Sequence, residues 1–438
     1  MMRPIIEEER VQTGRLARIG SILFLLLAVT ACSSSATSRP TASLRPMASA
    51  TPSPRLVTSS AGPATPSPIP TTRPWGSPRS MTPATLKPGP AMTVARAGQA
   101  TVRLGDGRVL IIGGSVPRTS KCPMMCEPPA TASVEIYDPS TGKFSPNGSL
   151  AEPRTGGDAV LLDDGRVLVS GGYGEDAGWL NTIEIYDPAT GTSAVVPGTQ
   201  ELPVYSTVLL LADGKVLIAG GSYDNCYTTS DATLIFDPAS GGLSAGPQMA
   251  KPRQGAMATL LNDGRVLLAG GAYCIGYLTY VNDNAELIDP SPPLSRSTLL
   301  VSPDPTTSTL LSDGRILVTD TGAGCMTPAV SEIFDPGTEK FTPVGPMSTP
   351  RSGSTAIKIQ DGRVLFIGGE MNSTCVVVDT VEAFDPDSGT FQVIATGFPD
   401  LSGFSATLLD DGEILIAGGS GSGDWNYSMT AASWFIKP

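Results

Sequence analysis

The residues of this 438-residue chain that could do chemistry are carboxylates, cysteines and aromatic side chains, because the sequence contains no histidine. This absence excludes serine–histidine triads and histidine-based zinc or iron centres. Two carboxylates across a cleft could still cleave a glycan. No pair stands out by its spacing among the acidic residues of the predicted loops: Glu175, Asp176, Asp224, Asp283, Glu370 and Asp424. We therefore expect no enzyme activity and no cofactor or metal, with a histidine-free carboxylate glycan hydrolase or lyase as the alternative.

Aromatic side chains gather in a few segments of variable length, which we predict to be loops. They are Tyr173, Trp179, Tyr223, Tyr227, Tyr273, Tyr277, Tyr280, Trp425 and Tyr427. A ring with an apolar body and one polar tip suits a sugar ring or a protein surface. These nine residues are our candidates for ligand binding. The alternative is that they pack as lids over the scaffold beneath them.

Six cysteines occupy the same variable segments: Cys122, Cys126, Cys226, Cys274, Cys325 and Cys375. An even number of cysteines in an exported chain suggests disulfides, although six cysteines allow fifteen pairings. A metal cluster is less favoured because these residues are dispersed and no histidine can assist them.

A nine-residue sequence motif recurs seven times and indicates the scaffold that must position these residues. It reads DGRVLIIGG at 106–114 and returns near Asp164, Asp213, Asp263, Asp313, Asp361 and Asp411. Its turn glycines are spaced by 58, 49, 50, 50, 48 and 50 residues. A period near fifty is typical of a ring or array of equivalent units.

Each unit is predicted to form four short strands. An apolar strand precedes the Asp-Gly pair, for which we expect a two-residue type I′ turn. The strand after the turn is apolar without alternation, so it should be buried on both faces. A third strand ends in Tyr-Asp-Pro or Phe-Asp-Pro, as at Tyr137–Pro139, and a short turn leads into the fourth.

These motifs resemble the Kelch family of β-propellers, and more closely its galactose-oxidase-like branch. The resemblance covers about residues 81–438 and implies an all-β, seven-bladed propeller of four-stranded antiparallel blades. Enzymes of that branch hold copper with two histidines and two tyrosines, a site that this chain cannot assemble. The fourth unit departs from the pattern around Pro290–Leu294, where we expect a degenerate fourth strand.

Closure of the ring can be predicted from the two ends of the repeat region. The seventh unit stops at 433–438, which aligns with a third strand, so its fourth strand is missing. Residues 81–92 resemble the fourth-strand segment 340–347. We expect the amino-terminal segment to complete the last blade and cover its open edge.

Neighbouring blades would bring equivalent loops together. On that basis we favour the disulfides Cys226–Cys274 and Cys325–Cys375, with Cys122–Cys126 closing a local loop. The repeated arginines stand eleven residues before a turn glycine: Arg96, Arg154, Arg253 and Arg351. They could ring the channel mouth and bind anions, but hydrogen bonds to neighbouring backbone are the favoured reading.

The sequence of the amino-terminal region indicates the cellular location of the propeller. Arg15 and Arg18 precede an apolar run at 22–29 that suits a signal peptide, and Val29–Cys32 resembles a bacterial lipobox. We predict a signal peptide at 1–31 and lipid attachment at Cys32, with an ordinary cleaved signal as the alternative. Residues 32–80, rich in Pro, Ser, Thr and Ala, should form a disordered tether. It is either a passive spacer, which we favour, or a segment whose arginines contact anionic envelope polymers or lipids.

Charge is divided unevenly along the chain. The whole chain carries −12; residues 1–32 carry +1 and residues 33–80 carry +5, which leaves −18 for the propeller. An acidic domain of this kind argues against nucleic acid as a partner. We expect a monomer at the bacterial cell envelope, held to the membrane only by its lipid, with a protein or glycan partner.

Overall fold

The computed structural model describes residues 75–438, apart from 119–127, 176–177, 200–201, 224–227, 276–277, 283, 291–292, 300–304, 320–329, 352, 372–375 and 422–427. Within this part of the chain the secondary structure is entirely β. None of it forms a helix that could cross a lipid bilayer.

The strands are short, most of them four residues long. In chain order as far as the end of blade 3 they are β1 (Thr85–Pro88), β2 (Ala100–Arg103), β3 (Val109–Ile112), β4 (Ser133–Asp138), β5 (Lys143–Ser149), β6 (Asp158–Leu161), β7 (Val167–Ser170), β8 (Tyr173–Gly174), β9 (Gly178–Trp179), β10 (Ile183–Asp187), β11 (Thr192–Val195), β12 (Thr207–Leu210), β13 (Val216–Ala219), β14 (Ser222–Tyr223), β15 (Thr228–Thr229), β16 (Thr233–Asp237) and β17 (Gly242–Ala245). Those that follow are β18 (Met257–Leu260), β19 (Val266–Ala269), β20 (Ala272–Ile275), β21 (Leu278–Val281), β22 (Asn284–Pro290), β23 (Pro293–Leu299), β24 (Thr307–Leu310), β25 (Ile316–Thr319), β26 (Ser331–Asp335), β27 (Lys340–Pro343), β28 (Thr355–Lys358), β29 (Val364–Ile367), β30 (Glu370–Met371), β31 (Val376–Val377), β32 (Val381–Asp385), β33 (Thr390–Ala395), β34 (Ser405–Leu408), β35 (Ile414–Ala417) and β36 (Ser433–Lys437).

Seven four-stranded antiparallel sheets form the blades, and the predicted seven-bladed propeller is confirmed. From the inner to the outer strand the first six blades are β2-β3-β4-β5, β6-β7-β10-β11, β12-β13-β16-β17, β18-β19-β22-β23, β24-β25-β26-β27 and β28-β29-β32-β33. The inner strands contact one another in cyclic order, and β34 returns to β2. The ring is therefore closed.

Blade 7 is assembled from both ends of the repeat region, as predicted. Its strand order is β34-β35-β36-β1, and Thr85 to Pro88 pair antiparallel with Lys437 to Trp434. Leu86 packs among the apolar side chains of blades 6 and 7. The amino-terminal strand thus pairs an edge that would otherwise stay open.

The second strand of every blade is buried along its whole length, as its unbroken apolar sequence predicted. In β3 and in each equivalent strand all four residues are buried. Their side chains join clusters that span adjacent blades; one cluster holds Val109 of blade 1 beside Leu415 of blade 7. The core therefore lies in the wedges between blades, and burial between blades holds the ring together.

The Asp-Gly turn differs from the two-residue type I′ turn that we expected. The Leu104 N–H donates to the Arg108 carbonyl at 2.8 Å, which leaves three residues in the loop. Only Gly107 has a positive φ, of 88°, whereas a type I′ turn needs two such residues. The Asp106 carboxylate accepts the Arg108 N–H at 3.1 Å, which fixes the aspartate outside the left-handed region.

The fourth blade is more regular than its sequence suggested. Strand β23 pairs continuously with β22, from Asn284–Leu299 to Pro290–Pro293. The prediction of a degenerate fourth strand was wrong because backbone pairing does not require an aromatic residue at that position, as Ser193 in the fourth strand of blade 2 also shows.

Candidate functional site

The propeller has two faces with different contents. Asp-Gly turns and Asp-Pro turns lie together on one face, which we call the turn face. The loops between second and third strands, and the connections between blades, lie on the opposite loop face. Among described residues the loops add their own small sheets: the hairpins β8-β9 and β30-β31 and the sheet β14-β15-β20-β21.

A collar of left-handed residues surrounds the loop-face end of the inner strands. The position nine residues before the turn glycine has a positive φ in six blades: Gly98, Gly156, Tyr205, Gly255, Gly353 and Gly403. Backbone hydrogen bonds of 2.8–2.9 Å link neighbours around this collar, from Gly98 to Gly403, from Gly156 to Gly98 and from Gly255 to Tyr205.

Tyr205 is the exception in this collar, because five of the six residues are glycine. Its φ of 59° costs a residue with a Cβ on the order of 1–2 kcal/mol. Such strain persists only where the surroundings impose it, and it concentrates at binding and catalytic sites. We had not singled out Tyr205 from the sequence, although a tyrosine at the glycine position of the repeat was a readable signal.

Three aromatic rings meet beside the collar at the junction of blades 2 and 3, and we call them the aromatic triad. Tyr173 and Trp179 face each other across the β8-β9 hairpin with ring centroids 5.0 Å apart. The Trp179 ring lies 4.5 Å from that of Tyr205. All three are half-buried, and burial raises the pKa of Tyr205. Trp179 and Tyr173 were candidates from sequence, and the structure brings them together.

A second aromatic group lies on the sheet β14-β15-β20-β21, which joins blades 3 and 4 and which we call the loop sheet. Tyr273 and Tyr280 are cross-strand neighbours in β20 and β21, stacked at 5.4 Å. Tyr223 lies in β14 of the same sheet, and it and Tyr280 are 42% and 40% exposed. Four of our candidates lie outside the described residues: Tyr227, Tyr277, Trp425 and Tyr427.

The same sheet carries the one cysteine that the structure describes within the propeller. Cys274 is buried in a disulfide, and its N–H donates to Thr229 Oγ1 at 3.0 Å. Its partner lies outside the described residues, as do Cys32, Cys122, Cys126, Cys226, Cys325 and Cys375. The specific pairings therefore stay predictions.

The repeated arginines are scaffold residues and do not line an open anion site. Arg253 and Arg351 are fully buried, and each donates to a carboxylate of its own blade, Glu286 at 2.6 Å and Glu382 at 2.7 Å. Arg96 and Arg154 bind Glu135 and Glu184 in the same way. Burial lowers the pKa of Arg351, and Glu382 partly offsets this effect. The favoured reading, hydrogen bonds to neighbouring backbone, is confirmed, since Arg253 and Arg96 also donate to the carbonyls of Gly270 and Gly113 at 2.7 Å.

The glutamates of these pairs were missed from the sequence. Each accepts two backbone N–H groups of the connection that precedes its arginine; Glu286, for example, accepts those of Ala250 and Lys251 at 2.7 and 3.0 Å. In blades 3 and 7 both members of the pair are replaced together, by Pro203 with Leu234 and by Leu401 with Trp434. Alignment of the repeats reveals this joint replacement in two blades, whereas blade 5 keeps Glu332 with Pro303 at the arginine position, so the pairing was only partly readable.

Asp158 lies at the loop-face end of inner strand β6, two residues after the collar glycine Gly156. Solvent reaches its side chain, yet the surrounding protein still desolvates the carboxylate and raises its pKa from 3.8 to about 6. A carboxyl group that titrates near neutrality can bind or move a proton in the working range of pH. Because solvent contact screens the charge, we draw a direction and no energy from this shift.

The raised pKa predicts a pH dependence of folding. The folded state holds the Asp158 proton more tightly than the unfolded chain, so stabilisation is full below pH about 4 and is lost as pH rises through about 6. Asp158→Asn should abolish this component, which the difference in melting temperature from wild type across pH 4–7 measures. The exposed Asp163→Asn serves as control. A constant difference for Asp158→Asn would contradict the assignment.

The donor set does not fit a copper centre of the kind that the resemblance implies. The chain has no histidine, and within the described ranges no three Cys, Asp or Glu side chains converge as metal ligands. Of the acidic loop candidates, Glu175 is bound by Arg118 at 2.9 Å. Asp176, Asp224, Asp283 and Asp424 lie outside the described residues, and the Glu370 side chain is likewise not described.

Comparisons with known proteins support the fold. Residues 159–199, which span most of blade 2, match the Kelch motif family. A solved structure of a fungal alcohol oxidase of the AA5 family, in complex with copper, is similar over 83% of this chain and 76% of that chain. Its TM-score is 0.60 and its sequence identity 18%, so the likeness shows the fold alone. No curated protein matches the sequence.

This likeness corrects one of our expectations. We predicted that the chain is not an enzyme, but a propeller of similar architecture is a copper alcohol oxidase, so the expectation is contradicted. The missing histidines exclude one set of ligands and leave catalysis open. The chain is a seven-bladed β-propeller that carries a Kelch motif and resembles the galactose-oxidase-like propellers in fold.

Proposed function

We propose that this protein is an extracytoplasmic binding module that engages a glycan or a protein of the bacterial envelope through the loop face of blades 2 to 4. The signal peptide at 1–31 and lipid attachment at Cys32 belong to the same proposal. The observation that carries it is Tyr205, an aromatic residue held in a strained conformation at a position that is glycine in five other blades.

The strained backbone of Tyr205 accompanies an additional aromatic contact. A glycine at residue 205 would adopt the positive φ of the collar without steric strain. The tyrosine instead places a third ring against Trp179, which enlarges the half-buried aromatic surface beside the collar. Amphipathic rings of this type provide large contact area with little loss of side-chain entropy, on sugars as on proteins.

The loop sheet extends this surface sideways. Tyr223 and Tyr280 expose about two fifths of their area in a sheet whose strands come from two blades. A proposed Cys226–Cys274 bridge would fasten the same sheet, since Thr228 pairs with Ile275 there. A rigid platform loses less entropy on binding than separate loops would.

Two substitutions separate binding from folding. We expect Trp179→Ala to weaken ligand binding about tenfold or more, as loss of a central aromatic contact does. Tyr205→Gly should weaken binding similarly while the melting temperature stays nearly unchanged, because relief of backbone strain offsets the lost ring packing. Binding is measured by titrating the soluble domain against panels of envelope glycans and proteins.

The controls locate the site. Lys143→Ala on the turn face should bind as wild type does, and Tyr280→Ala reports whether the loop sheet takes part. Turnover is assayed in parallel with Asp158→Asn, since that carboxyl group could act as a general acid. Binding that survives both Trp179→Ala and Tyr205→Gly would refute the proposed site.

A further inference from the structure

Arginines of the repeated Asp-Gly-Arg turns bridge adjacent blades on the turn face. Arg166 of blade 2 donates to the Pro238 carbonyl of blade 3 at 3.3 Å, and Arg315 of blade 5 donates to the Pro386 carbonyl of blade 6 at 3.3 Å. Arg265 of blade 4 reaches blade 5 in the same manner. A guanidinium group can do this because its several N–H donors serve its own aspartate and the next blade at once.

Among the described residues, no such bridge spans the seam between blades 3 and 4. Its turn carries Lys215, whose Nζ is held by Asp213 at 2.9 Å. The fourth strand of blade 3 presents Leu243 where blades 1, 5 and 6 present phenylalanine. A groove of about 720 Å³ opens at this seam, with an apolar floor that includes Leu211 and Ile235. We call it the seam groove.

The seam groove is acidic as well as apolar. Its lining holds four carboxylates, those of Asp213, Asp237, Asp263 and Asp289, and at least two of them are already paired, because Lys215 binds Asp213 at 2.9 Å and Arg265 binds Asp263 at 2.8 Å. A smaller groove of about 420 Å³ between blades 1 and 2 is lined by Arg108 and Arg166 beside Asp106, Asp164 and Asp187, so its charges are more nearly balanced. The seam groove therefore has room for a guanidinium group, and the carboxylates in its lining would attract one.

The amino-terminal segment supplies such a group and lies on the correct face. Residues 33–74 contain four arginines and neither lysine nor any acidic residue. The described chain begins at Trp75 on the turn face, where the Arg315 guanidinium lies 5.4 Å from the Trp75 ring. Arg79 already binds an Asp-Pro turn there, through Asp385 and Asp387 of blade 6. Asp237 is the equivalent of Asp385 at the seam groove.

The segment is long enough to reach the groove from blade 6. A flexible chain of this length has an end-to-end distance of about 35 Å, against a radius of gyration of about 20 Å for a propeller of this size. We propose that the seam groove binds an arginine side chain of residues 33–74, which supplies the bridge that Lys215 does not make. The segment then folds back across the turn face and is more than a spacer.

The test uses a labelled peptide of residues 33–74 and a propeller of residues 75–438, which contains every blade strand and all seven core clusters. Fluorescence anisotropy at constant ionic strength should give a dissociation constant below about 1 mM, because a tethered segment is present at millimolar effective concentration. A peptide with all arginines replaced by glutamine should not bind.

Lys215→Arg is the decisive variant because it conserves charge. It should fill the seam groove from within and weaken peptide binding about tenfold. Arg108→Lys, which conserves charge at a turn arginine that binds Asp106 of its own turn and lies outside the seam groove, should leave binding unchanged. The full chain from residue 33 should bind the peptide more weakly than the propeller alone, since its own segment competes.

The remaining outcomes overturn the proposal. No binding at 1 mM peptide would mean that the segment does not occupy the groove in the intact chain. Equal binding by wild type and Lys215→Arg would place the peptide elsewhere on the acidic surface. Equal binding by the full chain and the isolated propeller would mean that the groove serves a separate basic partner.

Discussion

Deletion of residues 75–92 should lower the free energy of unfolding by about 5 kcal/mol or more. It removes the four-residue pairing of β1 with β36 and the burial of Leu86, Ala84 and Met81 against blades 6 and 7. Each lost strand hydrogen bond is worth about 1 kcal/mol and each buried large apolar side chain about 1.5–3 kcal/mol. Urea titration followed by tyrosine and tryptophan fluorescence measures the change.

The matched control is deletion of residues 33–74, which removes a longer segment and no described strand. Its unfolding curve should stay close to that of the intact chain. The protein that lacks 75–92 should also aggregate more readily, because β36 then presents an unpaired edge. A deletion of 75–92 that melts as the intact chain does would mean that blade 7 does not depend on β1.

Glu286→Ala should cost about 3–5 kcal/mol of stability, the usual effect of leaving one member of a buried ion pair alone. Arg253 and Glu286 are both fully buried, and the glutamate also accepts the N–H groups of Ala250 and Lys251. Its loss therefore leaves an uncompensated guanidinium and two free donors. Urea titration again provides the measurement.

The other repeats suggest a substitution that should restore the stability lost in Glu286→Ala. Blade 7 carries Leu401 and Trp434 at the two equivalent positions, so an apolar pair is compatible with the blade. The double variant Arg253→Leu with Glu286→Leu should therefore be more stable than Glu286→Ala. Glu339→Ala removes a surface partner of Arg265 and should cost less than about 1 kcal/mol. Equal losses for Glu286→Ala and Glu339→Ala would contradict a special role for the buried pair.

The fold was predictable because its signals are local and repeated. The aspartate and glycine of each turn, the apolar strand after it and the Asp-Pro turn lie within one unit of the sequence. Even the closure by β1 could be inferred, since residues 81–92 carry a fourth-strand pattern. The turn geometry was less accessible, because Asp106 accepts a backbone N–H in a conformation that its sequence does not reveal.

The candidate site was only partly predictable, for a different reason. Loop aromatics could be identified by position, but contacts such as that of Trp179 with Tyr205 join different blades. The loop sheet arises likewise from pairing between Thr228 and Ile275, which lie 47 residues apart. Such contacts depend on how blades are placed around the ring, whereas Tyr205 itself was visible as a departure from the repeat.

The closing strand also determines how the molecule bears force. Thr85 enters blade 7 from the turn face, and the chain upstream lies across blade 6 at Trp75. If the proposed lipid holds the amino terminus and the proposed ligand binds the loop face, a pull between them would first detach Trp75 and Arg79. It would then act along the axis of β1, so that the bonds to β36 are loaded in shear and resist together. The joint that closes the ring would thus set the tension at which the propeller opens.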